Sequence, residues 1–125
     1  DQLFCTVMAI AWKESLYQTD TIGDSGDSIG MMQINTRWNT DRMERLGVTN
    51  LTDPVQSSMV AVDLLRELAE TFDSGISDTT TLMAYNMGPT GARRAIDAGT
   101  YETAYTQEVT AMFQTYLQEM EGNHD

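Results

Sequence analysis

Apolar residues recur at intervals of three and four along most of this chain, and that spacing restricts it to a helical fold. The first such group consists of Leu3, Phe4, Val7, Met8, Ile10 and Ala11. Residues at this spacing share one face of a helix, which packs against a core. No segment alternates apolar and polar residues as a half-buried strand would. We therefore expect a mainly α fold with at most a small β-hairpin, placed within residues 19–36.

Capping residues, glycine and proline divide this pattern into helices. The predicted helices cover residues 2–18, 41–46, 54–72, 79–87, 91–98 and 102–120. Asp53-Pro54 is a strong start signal, because Asp caps a helix and Pro is tolerated in its first turn. Thr40 is the predicted cap of the second helix, and Ser77 or Asp78 that of the fourth. Residues 29–34 are predicted to be a short apolar turn of helix or an irregular segment.

The third and last helices each carry an apolar stripe that predicts a buried face. In the third helix the stripe consists of Ala61, Leu64, Leu65, Leu68 and Phe72. In the last helix it consists of Tyr105, Val109, Met112, Phe113, Tyr116 and Met120.

Length and charge narrow the classes of function. With 125 residues, 41% of them hydrophobic, the chain is predicted to form a single domain, residues 1–125. Its net charge of −12, with only seven basic residues, opposes nucleic-acid binding, which needs Lys and Arg to contact phosphates. No apolar run is long enough to span a bilayer. No basic-then-apolar leader is visible, and the sequence leaves open whether it is a processed protein or part of a longer one.

The single cysteine does not predict a catalytic thiol. Cys5 lies among apolar residues, where a buried inert thiol is expected. The only histidine, His124, lies close to the C-terminal end of the sequence, far from Cys5. A Cys-His enzyme is therefore not expected.

Glu14 is the candidate catalytic residue. It follows Ile10 by four residues and Ala11 by three, so it continues the inward face of the first helix. A carboxyl group on an apolar face is expected to have a raised pKa, because desolvation disfavours its charged form. A protonated carboxylic acid is what breaking a glycosidic bond requires. The alternative is a structural Glu paired with Arg93 or Arg94.

The glycine-punctuated loop after the first helix is a second candidate feature. Residues 23–30 contain three glycines, which indicate either a flexible surface turn or a loop whose amides approach a ligand. No Lys-Ser/Thr follows, so this is not a phosphate loop. The terminal Glu of a calcium loop is also absent. We expect neither a metal nor another cofactor.

Four segments occur in order along the chain. They are Glu14-Ser15, Ser28-Ile29-Gly30-Met31-Met32-Gln33-Ile34-Asn35, Ala84-Tyr85-Asn86-Met87-Gly88-Pro89, and Tyr105 four residues before Val109. Together they resemble the family of soluble lytic transglycosylases and goose-type lysozymes. The resemblance implies a lysozyme-like helical fold and cleavage of peptidoglycan glycan strands at the bacterial cell wall. The bond implied is the β-1,4 link between N-acetylmuramic acid and N-acetylglucosamine.

The resemblance also implies roles for individual residues. Glu14 is similar to the general acid that protonates the bridging oxygen and then acts as base. Met32 and Gln33, with Ser28 in the same segment, are similar to residues that contact the substrate. Met32 and Tyr85 have an alternative interpretation as ordinary core residues.

Residues later in the chain also have counterparts in the family. Tyr85 is similar to a tyrosine that positions the acid and the substrate, with Asn86 as its neighbour in the motif. Tyr105 is similar to the tyrosine of the last helix that closes the cleft. The substrate is expected to be a glycan strand and the protein a monomer.

Two kinds of product are open. Asp24 falls where goose-type lysozymes carry an aspartate that assists water, which would make the chain a hydrolase. A second goose-type aspartate falls on Asn35, which slightly favours a transglycosylase, since that mechanism needs no second carboxylate. A glycan-binding module without activity is a further alternative.

Overall fold

The computed structural model describes residues 1–122, and the predictions concerning His124 lie outside them. The described helices are α1 (Gln2–Ser15), α2 (Thr40–Leu46), α3 (Pro54–Thr71), α4 (Thr79–Asp97) and α5 (Ala104–Gly122). Among these residues, no helix combines the length and apolar character needed to cross a bilayer. The mainly α fold predicted from the sequence is confirmed.

A small antiparallel sheet lies between α1 and α2. Its strands are β1 (Ile22–Gly23), β2 (Ser28–Ile29) and β3 (Ile34–Asn35), in the order β1-β2-β3. Ser28 pairs with both Gly23 and Asn35, and Ile29 with both Ile22 and Ile34. The possible hairpin is present as β1 and β2. A third strand, β3, is added to it, and this strand begins at the last residue of the segment 29–34.

The chain forms two compact units, and α1 and α3 each contribute residues to both. One unit consists of Asp1–Ala9 with the chain from Leu64 onward, and the other of Ile10–Asp63. We call them the helical unit and the sheet unit. In the helical unit, α4 packs against α5, and Leu68, Met83, Ala84 and Ala92 form a buried cluster.

The first helix differs from its prediction at two places. Phe4, predicted to face the core, is 57% exposed, while Cys5 and Ala9 are fully buried. The buried face of α1 thus includes Cys5 and Ala9 instead of Phe4, together with Ile10 and Ala11, which are buried as predicted. The helix ends at Ser15 instead of residue 18, because Leu16 and Tyr17 adopt positive φ angles of 54° and 65°.

Most of the other helix boundaries follow local signals. Asp53 precedes α3, and its Oδ1 accepts a hydrogen bond from the Val55 amide at 3.4 Å. Gly47 ends α2 in the left-handed conformation, with φ 71°. Gly88 leaves helical geometry (φ 82°, ψ 159°), so the two helices predicted around it adjoin at a kink inside α4. That conformation is almost confined to glycine.

The predicted cap of α2 is wrong, whereas Asp78 occupies the predicted capping position of α4 without making a side-chain capping bond. Thr40 is the first residue of α2, and the capping position is occupied by Asn39, whose side chain makes no capping bond. Asp78 holds the capping position of α4, but its carboxylate accepts a hydrogen bond from the Gly75 amide instead. The side chain of Asn39 bonds instead to the Asn35 carbonyl and to the Arg42 side chain. Such local side-chain bonds replace the capping bond in both residues.

Candidate active site

The sheet unit contains Glu14, Asp24, Ser28, Met32 and Gln33, whereas Tyr85, Asn86 and Tyr105 belong to the helical unit. Glu14 lies half-buried in the last turn of α1. The next residue, Ser15, is buried, and its Oγ donates to the carbonyl oxygens of Ala11 at 3.1 Å and Met31 at 2.8 Å. The second bond ties the end of the helix to the loop, so the backbone of Glu14 is held at a fixed place beside it.

Close packing fixes the loop at Gly30. Its φ angle is +86°, and a Cβ at this position would overlap the carbonyl oxygen of Leu51. The Gly30 amide donates to the Thr21 carbonyl at 2.8 Å. The amide of Met32 donates to Oγ of the fully buried Ser57 at 3.4 Å. The glycine is thus required by its conformation and by the close approach of another backbone segment.

The side chain of Gln33 stabilises the same loop by two hydrogen bonds. Its Nε2 donates to the carbonyl oxygens of Thr21 at 3.0 Å and Gly30 at 2.9 Å. A Cβ added to Gly23 would lie 2.5 Å from Gln33 Oε1. Both hydrogens of the Gln33 side-chain amide are thus used in these two hydrogen bonds. The backbone of Gln33 has a positive φ angle of 50°. The side chain of Gln33 acts on the loop's shape.

The carboxylate of Asp24 is held by Ser28. Ser28 Oγ donates to Asp24 Oδ2 at 2.6 Å, and Ser28 is almost completely buried. Asp24 itself is exposed, in a short 3₁₀ turn, Asp24–Gly26, where Asp24 and Ser25 adopt φ angles of 50° and 58°. The structure brings these two predicted site residues together, with Ser28 orienting an acid that faces solvent.

Met32 has no exposed surface in this structure. A residue without accessible surface presents no atoms to a ligand, so its burial favours the core interpretation. Asn35 is also engaged locally: its Oδ1 accepts from the amides of Arg37 at 3.0 Å and Trp38 at 3.3 Å. An amide at this position therefore closes a turn.

The helical unit presents its three predicted residues in different ways. Tyr85 is half-buried and packs against the cluster of Leu68, Met83, Ala84 and Ala92. Asn86, the next residue, is exposed. Tyr105 is buried in the first turn of α5. All three lie in the elements predicted for them.

An ion-pair group on α2 and α3 supports the sheet unit. Arg42 and Arg45 both bind the carboxylate of Asp63. The hydrogen bond from Arg45, followed by that from Arg42 and by the positive charge of both guanidinium groups, lowers the pKa of Asp63 below its ordinary value of 3.8, although burial opposes the shift. Arg42 Nε also donates to Asn39 Oδ1 at 3.0 Å. Since buried Asn39 donates in turn to the Asn35 carbonyl at 2.8 Å, the network reaches β3.

Sequence reasoning missed several residues that shape this region. Ser15 has a weak signal, because it follows Glu14 in the quoted motif. Ser57 has none, since a serine in an amphipathic helix is ordinarily solvated. Trp38 and Arg42 also passed unnoticed. Among residues 1–122, no three His, Cys, Asp or Glu side chains are grouped so that they could hold a metal ion.

The fold is mainly α and lysozyme-like, and it carries a glutamate at the end of its first helix. Residues 5–107 match the transglycosylase SLT domain. The chain therefore belongs to the family of transglycosylase SLT domains. A comparison with curated protein sequences finds no match.

The fold is similar to that of the 70 kDa soluble lytic transglycosylase Slt70 from Escherichia coli. The TM-score is 0.69 and the sequence identity is 20%. The similarity covers 90% of this chain and 22% of the Slt70 chain. The sequence thus spans less than a quarter of the length of that protein.

Proposed function

We propose that this domain cleaves the β-1,4 bond between N-acetylmuramic acid and N-acetylglucosamine in peptidoglycan, as a lytic transglycosylase at the bacterial cell wall. The observation that carries the proposal is the position of Glu14. The Ser15–Met31 hydrogen bond fixes the backbone beside it to the glycine-containing loop of the matched family. A preorganised acid at such a place lowers the barrier to proton transfer.

In the proposed reaction Glu14 acts twice. Its protonated carboxyl gives a proton to the bridging oxygen, and the bond from that oxygen to C1 of the muramic acid breaks. The 2-acetamido group of the substrate supports the positive charge that develops at C1. The 6-hydroxyl then bonds to C1 and returns its proton to Glu14. No water is consumed, and the product carries a 1,6-anhydro ring.

We further propose supporting roles for the other predicted residues. Gln33 shapes the loop, Ser28 orients Asp24, and Met32 is a buried core residue of the same segment. Tyr85 and Asn86 contact the substrate from the kinked helix, and Tyr105 of the last helix closes the cleft. The protein is proposed to act as a monomer without a cofactor.

The decisive experiment is mass spectrometry of the products from purified peptidoglycan, with Glu14→Gln alongside wild type. We expect muropeptides one water lighter than hydrolysis products. Glu14→Gln should lower the rate by about three orders of magnitude or more, since one residue serves as acid and base. Asp20→Asn, which changes an exposed acid in the same unit, is the matched control and should keep wild-type activity.

Three other outcomes would contradict parts of the proposal. A loss below about tenfold in Glu14→Gln would place the acid elsewhere. Ordinary reducing ends from wild type would make the domain a hydrolase. No products from a folded wild-type protein, on a substrate that a known muralytic enzyme cuts, would leave a glycan-binding module.

The hydrolase is the second candidate, and the Asp24–Ser28 hydrogen bond favours it. An exposed carboxylate oriented by a buried hydroxyl is suited to holding a water molecule. If the transglycosylase proposal is correct, Asp24→Asn lowers the rate by less than about tenfold and the products stay anhydro sugars. A loss in Asp24→Asn as deep as that in Glu14→Gln, together with reducing ends, would assign hydrolysis. The rate and the type of product are both measured in the same mass-spectrometry assay.

A further inference from the structure

The indole of Trp38 is the most exposed large apolar side chain of the sheet unit. It is 81% exposed and lies three residues after Asn35, the last residue of β3. A single exposed aromatic residue is common on protein surfaces and needs no explanation by itself. What distinguishes Trp38 is the way its backbone is held.

The turn that carries Trp38 is fixed by a chain of hydrogen bonds. Asn35 Oδ1 accepts the amides of Arg37 and Trp38, which closes the turn on itself. The Asn35 carbonyl accepts a hydrogen bond from the side chain of buried Asn39. Arg42 donates to Asn39 and also forms an ion pair with Asp63 on α3. The indole therefore projects from a turn whose backbone does not have to be ordered when a ligand binds. Such preorganisation lowers the entropic cost of binding.

The same turn is joined to the anchor of Asp24. Asn35, which closes the turn, is the strand partner of Ser28, and Ser28 donates to Asp24. A shift of β3 would move Asp24 and Trp38 together. The exposed acid and the exposed aromatic ring are thus two outward groups on one small, hydrogen-bonded framework.

The charge of this region selects among ligands. The sheet unit carries eight acidic side chains against four basic ones. Arg37, the cation next to Trp38, lies 3.7 Å from Asp27. An anionic ligand would therefore be repelled, whereas an uncharged ring would not. The face of an indole is electron-rich and attracts the polarised C–H groups on one side of a pyranose.

We propose that Trp38 is a stacking platform for one N-acetylhexosamine ring of a glycan strand. This inference rests on the proposed function, because it adds a sugar-binding position to the same substrate. It assigns Trp38 to substrate binding and not to the chemical step. Its loss should therefore raise KM and leave kcat nearly unchanged.

Tryptophan fluorescence tests this directly, because the chain has only two tryptophans, Trp12 and Trp38. In a Trp12→Phe, Glu14→Gln protein, Trp38 is the only remaining indole. The probe is a soluble β-1,4-linked hexamer of N-acetylglucosamine. Saturation should shift the emission to the blue and reduce quenching by acrylamide. Unchanged emission and quenching at saturation, with binding shown by calorimetry, would overturn the proposal.

Affinity and kinetics give an independent readout. Trp38→Ala should weaken binding of the hexamer about tenfold, a typical loss for an aromatic anchor, while Trp38→Phe keeps part of the affinity. Tyr101→Ala is the matched control, since Tyr101 is 69% exposed in the helical unit. Equal affinities of the Trp38→Ala and Tyr101→Ala proteins would overturn the stacking site. The melting temperatures of both should equal that of wild type, because both side chains are exposed.

The two proposals fail differently. If wild type releases anhydro products and Trp38→Ala has an unchanged KM, the stacking site is wrong and the proposed function stands. If the hexamer shifts Trp38 emission but wild type releases no products, the sugar site stands and the proposed activity is wrong. If peptidoglycan shifts the emission but the peptide-free hexamer does not, Trp38 contacts a peptide stem and the sugar proposal is overturned.

Discussion

Several side chains of the segment 28–35 hold neighbouring parts of the chain in place. Gln33 uses both of its amide hydrogens on carbonyl groups of the loop, and Ser28 uses its hydroxyl on Asp24. Met32 is fully buried. These side chains belong to the family segment, and the hydrogen bonds of Gln33 and Ser28 support the surrounding loop. Their substitution is therefore expected to act on the placement of Glu14 and Asp24 as well as on any ligand.

Gly30 provides a test of this placement at the scale of one residue. Gly30→Ala adds a methyl group against the Leu51 carbonyl and strains a positive φ, so we expect a loss of about 3 kcal/mol or more in the free energy of unfolding. Gly26→Ala, with φ +100° and nothing near its added Cβ, should cost only about 1–2 kcal/mol. Urea unfolding of both variants measures the difference. Equal losses would show that close packing at Gly30 is unimportant.

At the scale of elements, α2 is attached to α3 by charge. Arg42 and Arg45 come from one helix and Asp63 from the other, and the pKa of Asp63 is lowered chiefly by the Arg45 hydrogen bond. A lowered pKa in the folded state means that the ionised carboxylate stabilises the fold. This stabilisation is complete above the ordinary value of 3.8 and is lost as the pH falls through the lower folded value.

Asp63→Asn should therefore remove part of the acid sensitivity of the protein. Between about pH 5 and pH 2, the melting temperature of Asp63→Asn should fall less steeply than that of wild type. At pH 7 the variant should be the less stable of the two, because two guanidinium groups lose their anionic partner. Asp20→Asn is the control and should follow the wild-type curve. Parallel curves for wild type and Asp63→Asn would contradict the assignment.

At the scale of the whole molecule, the net charge of −12 is the main electrostatic feature. Nineteen acidic side chains face only seven basic ones, of which one is lysine. Self-repulsion of this kind opposes the folded state, and dissolved salt screens it. The Debye length falls from about 10 Å at 0.1 M salt to about 3 Å at 1 M, so most repulsion between separate surface carboxylates disappears over that range.

We expect the melting temperature at pH 7 to rise by several degrees between about 0.05 and 1 M sodium chloride. The same titration near pH 4, where many carboxyl groups are protonated, is the control and should give a much smaller rise. A fall in melting temperature at pH 7 would mean that salt weakens ion pairs such as Arg45–Asp63 more than it relieves repulsion. Scanning calorimetry at both pH values decides between the two.

The sequence by itself determined the class of fold, most helix boundaries and the family. The end of α2 at Gly47, the start of α3 at Pro54 and the kink at Gly88 follow from residues whose own φ angles are unusual or restricted. Such signals are local, so they can be identified without knowing the neighbours in space. The four family segments similarly indicated Glu14 before any geometry was available.

Only the tertiary structure decided the sheet and the state of the loop residues. Strands of two residues are too short to show an alternating pattern, so β1, β2 and β3 exist through pairing alone. The positive φ angles of Leu16 and Gln33 are strained conformations that surrounding contacts maintain. The hydrogen bond between the Met32 amide and Ser57 and the ion pair between Arg42 and Asp63 join partners distant in sequence. Contacts of this kind leave no local pattern in the sequence, so they are seen only in the tertiary structure.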